Sequence, residues 1–359
     1  MGKIFRKIVF HFCTKRKIYC MLLIFSCLFS TSIVLAEESG GIEGSKNQPE
    51  NDVGFAVEPI LTKTQIDSKK GFYFIKVEPN KPQELTIKIR STNVKPATVS
   101  IYVKDAHTNK NGAIDYDNED YKKDATLKNS IEEITTISEK KVTVENYEEK
   151  KVTIKITPPK EQFTGVKGGA ICIMKADTSK VKEGISSTFG YRIGLVVTED
   201  SEVYDDGSTL KFLNVQPTVS QGRRVIQARM QNPEPKILKD LMIETKLTEK
   251  GGREVLKKRK MNNMRMAPNS QFEFSTNWGI DPLKSGTYTL FIKAKSGTST
   301  WKWKQDFTVG EKEARKINED ANFTITYQSW VPLVTILISL VNVILIGCLY
   351  VRSKKWRAI

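Results

Sequence analysis

Residues 105–120, DAHTNKNGAIDYDNED, gather five carboxylates, a histidine and an Asn-Gly pair into one short span. Oxygen ligation of a hard cation and acid or base catalysis around His107 are the two chemistries such a set offers. An EF-hand-type loop needs an acid at its first position, Gly at the sixth and a bidentate Glu at the twelfth. With Gly112 placed sixth, His107 stands first and Asn118 twelfth, so both terminal acids are missing. A non-standard site on Asp115, Asp117, Glu119 and Asp120 remains open. The mechanical reading is a hairpin over 105–116, because Asn-Gly between extended segments suits a turn with both central residues at positive φ; the acids beyond it then form a solvated loop.

Catalysis finds little else to work with. His107 is the one histidine after residue 36, so a Ser-His-Asp or Cys-His arrangement would have to be built around it. Cys172, in Ala-Ile-Cys-Ile-Met, reads as a small buried hydrophobe. One His and one Cys cannot make a zinc site of the usual composition. Gly165-Val-Lys-Gly-Gly169 lacks the P-loop pattern and precedes a strand, where close backbone approach explains the glycines. No catalytic residue, cofactor or metal is therefore expected. A wall hydrolase using a carboxylate pair near 115–120 is kept as an alternative.

Binding is better supplied. On a strand, Trp301 and Trp303 share one face while Lys302 and Lys304 share the other. An exposed Trp pair could stack on sugar rings or seat a partner's apolar side chains, whereas an inward pair is core. Trp278 carries the same two readings. The run Lys257, Lys258, Arg259 and Lys260 is either the wet face of a hairpin or a docking patch for an anionic polymer or protein.

The elements that would position these residues follow from hydropathy. The first 36 residues hold six bases and no acid, then an apolar run closing with Val34-Leu35-Ala36, which reads as a signal peptide. Residues 37–52 are polar and read as a disordered leader. Residues 331–350 carry no charge and are long enough to span a bilayer; Arg352, Lys354, Lys355 and Arg357 follow, which places the tail 351–359 in the cytoplasm and gives a type I topology. Asn342, in mid-span, raises the alternative of an accessory subunit of a membrane complex.

The formal charge of +16 shrinks accordingly. Setting aside six bases in the leader peptide and four in the tail leaves 47 Lys and Arg against 41 acids, a mildly basic exterior portion. Nucleic acid is not an expected partner, because no concentrated basic face with stacking aromatics is evident in the linear order. Cys172 is alone outside the apolar ends, so no disulfide framework is expected, which suits a bacterial surface protein with cores large enough to fold unaided.

Period-two alternation fills the rest. Leu85, Ile87 and Ile89, then Val99, Ile101 and Val103, then Val152, Ile154 and Ile156 each alternate with polar residues. About eight strands over 53–199 and seven over 209–310 predict an all-β chain of two tandem immunoglobulin-like antiparallel sandwiches. Ser130 and Glu133 at capping-box spacing predict a short helix. The acidic stretch 200–208 reads as a linker and 311–330 as a solvated stalk helix leading to the span.

GFYFIKVEP, RSTNVKPATVSIYVKDAHTNKNGAIDY and ITPPKEQFTGVKGGAICI resemble the N-terminal domain of the WxL-interacting proteins of Gram-positive bacteria. QARMQNPEPKILKDLMIETKLTEKGG, MRMAPNSQFEF and LKSGTYTLFIKAKSG resemble that family's second domain. The resemblance implies a non-enzymatic, membrane-anchored surface protein, with peptidoglycan bound by the first domain and host extracellular-matrix proteins by the second. It also implies action beside WxL-domain proteins. The chain would then sit in the bacterial cell membrane with its exterior portion within and beyond the wall.

Overall fold

The computed structural model describes residues 53–117, 121–176, 189–200, 203–322 and 330–357. The expected signal peptide and leader lie outside the described residues.

In the first half the chain order is β1 (Phe55–Ile60), β2 (Tyr73–Lys76), β3 (Gln83–Ser91), β4 (Ala97–Asp105), β5 (His107–Thr108) and β6 (Ile114–Asp115). Then come α1 (Ile131–Ile134), β7 (Thr135–Ile137), β8 (Lys141–Val144), β9 (Glu149–Ile156), β10 (Val166–Lys175) and β11 (Gly190–Thr198). Two sheets, ordered β1-β3-β9-β7 and β2-β11-β10-β4-β8, close on one core, while β5 and β6 form a separate hairpin. Alternation is the cause. Leu85, Ile87 and Ile89 of β3 and Val152, Ile154 and Ile156 of β9 point inward with almost no exposure, against Val99, Ile101, Ile171 and Ile173 of the facing sheet. Each such side chain contributes about 1.5–3 kcal/mol on burial.

One pairing departs from the antiparallel expectation. Strand β2 lies parallel to β11, with Tyr73 opposite Leu195. A parallel pair needs a long connection, and most of the domain separates these two strands. Helix α1 begins at the expected cap: the Ser130 N–H donates to Glu133 Oε2 at 3.0 Å, and Ile131 and Ile134 enter the core.

The second half holds β12 (Lys211–Ser220), β13 (Arg223–Asn232), β14 (Leu238–Glu249), β15 (Lys257–Met266), β16 (Ser270–Asn277), β17 (Gly286–Ser296) and β18 (Ser299–Val309). Sheets β12-β13-β16 and β15-β14-β17-β18 enclose a core of Met230, Leu241, Ile243, Leu247, Phe272, Phe274, Leu290 and Ile292.

The stalk reading needs correction. Helix α2 (Glu311–Asp320) does form, but it is docked on the second sandwich: Ala314 and Ile317 are buried in that core. Its anchor is Arg224 of β13, itself 2% exposed, whose Nε donates to Asn318 Oδ1 at 2.7 Å. Asn318 also closes a pair of bonds with Leu283, accepting from its N–H at 2.8 Å and donating to its carbonyl at 2.9 Å. The i, i+3 spacing of Ala314 and Ile317 is what gives this helix an inward face.

Helix α3 (Val331–Arg357) contains a 20-residue stretch, Leu333–Arg352, long and apolar enough to cross a membrane, with a mean hydropathy of 2.5 over an 18-residue window. Asn342 donates to the Ile338 carbonyl at 2.9 Å within the same helix, so its amide N–H has a partner without a second helix.

Candidate functional site

The hairpin quoted from the sequence is present, with a different turn. Only Gly112 of the Asn-Gly pair takes a positive φ, +67°. The Gly112 N–H donates to the Asn109 carbonyl at 2.9 Å, and the Asn109 N–H to the Ala113 carbonyl at 2.9 Å. Asn109 Oδ1 accepts from the N–H groups of Asn111 and Ala113 at 3.0 and 3.1 Å. This is a three-residue connection, a type I turn closed by a left-handed glycine, rather than the two-residue turn expected. The Asn109 side chain makes the difference by organising the turn from its first residue.

The hairpin reaches into the second sandwich. The Arg265 N–H donates to the Gly112 carbonyl at 2.7 Å, and a Cβ at 112 would stand 2.5 Å from Met264 Cγ. The Ala267 N–H donates to Thr108 Oγ1 at 3.0 Å; Thr108 Oγ1 lies 2.7 Å from Ser270 Oγ, which donates to the Ala267 carbonyl at 2.8 Å. Around this centre the Gln231 amide donates to both Asp124 oxygens at 3.0 Å, and the Val166 N–H to the Pro235 carbonyl at 2.8 Å. Gly165 is needed because a Cβ there would lie 2.5 Å from that same carbonyl oxygen. Buried hydrogen bonds of this kind specify one docking orientation, since a different one strands the same donors without water.

The segment expected as a linker is pinned too. Lys236 and Lys239 pair with Asp206 and Asp205 at 2.9 Å each, and the Ser208 N–H donates to Glu234 at 2.7 Å. The Tyr204 ring meets Phe74 edge-on at 5.0 Å, touching the first sandwich. Its acids serve local pairing rather than solvation alone.

The chemically suggestive residues are engaged within the first sandwich and its hairpin. His107 is 2% exposed and stacked on Tyr121 at 4.5 Å; burial lowers its pKa, against the opposing pull of Asp115. Burial pushes the Tyr121 hydroxyl up to about 12 and the Cys172 thiol up to about 11, the reverse of an activated nucleophile. Burial alone would raise the Asp115 carboxyl, but hydrogen bonds from the Tyr116 N–H at 2.7 Å and Asn109 at 3.3 Å hold it below its usual value. Asp117 is paired with Arg192. Glu119 and Asp120 lie outside the described residues, and among those described no group of three or more potential ligands could hold a metal ion.

The proposed contact residues separate into two faces. Trp278 is 6% exposed and packs edge-on against Tyr288 at 5.5 Å, so it is core and not a contact surface. Trp301 and Trp303 are half-buried and pack toward the second core, Trp303 lying 6.2 Å from Phe212. In the basic run, Lys258 and Lys260 face out, while Lys257 lies over the Trp278 ring at 5.6 Å. Arg259 turns inward, its guanidinium 4.7 Å from the Phe274 ring and bonded to the Ser275 carbonyl, and burial lowers its pKa. The run is therefore split by strand alternation, two outward lysines against two residues engaged with aromatic rings. Beside these contacts lies a polar cleft of about 320 Å³, lined by Asn109, Lys110 and Lys122 from the first half of the chain and by Arg229, Gln271 and Glu273 from the second.

Residues 55–175 match the peptidoglycan binding domain of WxL Interacting Protein, and residues 180–319 match its host binding domain. The second match takes in most of α2, in keeping with its docking. No curated protein matches the sequence. Among solved structures, the Pseudomonas aeruginosa CupB2 chaperone aligns at 14% identity and TM-score 0.27, covering 63% of this chain and 93% of that one. The YadV chaperone aligns at 11% and 0.28, covering 71% and 100%, and the E. coli chaperone DraB at 13% and 0.25, covering 63% and 89%. Both matched domain families are binding domains.

Proposed function

We propose, from the premise that this chain belongs to the WxL-interacting protein family, that it is a single-pass, type I membrane protein bridging the cell wall and host matrix. Its family supports a cell-surface role in binding peptidoglycan and host ligands. The finer reading is ours: helix α3 anchors the chain, the first sandwich holds wall glycan, and the second meets host extracellular-matrix proteins beside WxL-domain partners. The observation that carries it is order: two matched binding domains in tandem, then an apolar helix followed by a basic tail.

Anchorage helps such a bridge by making the second contact intramolecular, with an effective concentration set by the geometry of the joint. A clasped pair of domains presents its two surfaces at one fixed angle, where a flexible pair would sample many. Topology is open to direct test. An epitope after residue 160 should be accessible on wall-stripped intact cells, and the chain should stay with membranes through an alkaline wash. An inaccessible epitope, or release by the wash, would remove the anchored type I reading.

A further inference from the structure

We infer that the outer face of the β15-β14-β17-β18 sheet binds a sulfated polysaccharide of the host matrix; this rests on the host-binding reading of the second domain. Register brings together lysines that are scattered in sequence. One cross-strand row runs Lys260, Glu244, Lys293, Lys302, and the next runs Lys258, Lys246, Phe291, Lys304. Lys295 extends the face beside Lys293, and all these lysines are exposed.

The fold does not account for this arrangement. Lys293 stands directly opposite Lys302, and Lys246 opposite Lys258, pairings that destabilise a sheet. Lysines on edge strands guard against sheet-to-sheet aggregation, which would explain those of β15 and β18. Lys246, Lys293 and Lys295 lie on the interior strands β14 and β17, where no edge needs guarding. The acids on the face are already engaged, Glu244 with Lys246 and Asp306 with Lys250, both at 3.3 Å. Lys258, Lys260, Lys293, Lys295, Lys302 and Lys304 form no salt bridge among the described residues.

Charge complementarity thus calls for a polyanion. Strand spacing and residue repeat set neighbouring side chains about 5–7 Å apart on one face, suited to an extended chain with closely recurring charges. Phe291 selects among polyanions. Its ring is 39% exposed in the middle of the lysines, with Lys304 Nζ 5.8 Å from its centroid. A sugar ring can lay its apolar C–H face on it, whereas a poly(glycerol phosphate) has no ring to place there.

The test uses the full chain in neutral detergent against size-defined heparin oligosaccharides, with poly(glycerol phosphate) and an unsulfated polysaccharide as comparisons. Saturable heparin binding is expected, weakening linearly on a log–log plot against salt as counterions are released. K293Q/K302Q/K304Q should lose at least tenfold in affinity with unchanged melting and a shallower salt slope, while K151Q/K155Q on the first sandwich should change it less than twofold. Retained affinity in the triple variant, or poly(glycerol phosphate) binding as tightly as heparin, would overturn the inference. Capture of whole host matrix, measured in parallel, separates the failures. If the wild type captures matrix without binding heparin, this inference falls alone; if it does neither, the host-binding reading falls with it.

Discussion

The hydroxyl of Thr108, in the first sandwich, lies 2.7 Å from that of Ser270 in the second, and both residues are buried. Direction follows by elimination. Ser270 gives its proton to the Ala267 carbonyl at 2.8 Å, so Thr108 donates to Ser270 while accepting from the Ala267 N–H. Thr108→Val keeps the shape, leaves the Ala267 N–H without its acceptor and takes one donor away from Ser270 Oγ. Chemical denaturation should show a loss of about 1–3 kcal/mol, with Thr108→Ser close to wild type. A valine variant as stable as wild type would mean the network does not hold the joint.

Gly112 and Met264 meet across the same joint. Gly112→Ala must place a Cβ against the methionine side chain and hold a left-handed φ of +67°. The backbone strain alone is about 1–3 kcal/mol. In a double-mutant cycle, Met264→Ala should relieve the steric part and leave the strain, giving a coupling energy of at least about 0.5 kcal/mol. Strict additivity would show that the two residues do not touch in solution.

Acid should loosen the joint through His107. Its pKa is lowered in the folded chain, so the unfolded chain binds its proton first; the associated stability is fully present above about pH 6.5 and is lost as pH falls through the folded value. Asp115, with its pKa also lowered, acts in a separate window below about pH 3.8. Between pH 7.5 and 5 the wild type should therefore lose more melting temperature than His107→Gln. Equal losses would contradict the assignment.

Truncating Trp278 should behave as a core deletion. Trp278→Ala is expected to cost about 3–5 kcal/mol in equilibrium unfolding. Replacing Lys258, an exposed member of the basic run, should stay within about 0.5 kcal/mol. A stable Trp278→Ala protein with impaired matrix capture would restore the tryptophan to the contact surface.

Alternation made the two sandwiches legible from the sequence, because Leu85, Ile87 and Ile89 have one way to be buried together on a strand. The short helix at Ile131 was equally legible from Ser130 and Glu133. What the 105–116 hairpin does was not, since Thr108 meets Ser270 across 162 residues and no local period encodes such a contact. The docking of α2 had a readable signal in the spacing of Ala314 and Ile317, masked by the surrounding charges. The lysine face became visible only through strand register, which places Lys293 beside Lys302 and turns Lys257 and Arg259 of the basic run toward aromatic rings while Lys258 and Lys260 stay outside.

The bridge itself can be measured directly. Full-length chain in neutral detergent is sedimented with purified sacculi at physiological salt, and the washed pellet is offered labelled host matrix protein. Label should appear in the pellet only when the chain is present, and Thr108→Val should reduce it more than it reduces sedimentation of the chain. Chain left in the supernatant, or sacculus-bound chain that captures no more label than bare sacculi, would contradict a bridging role.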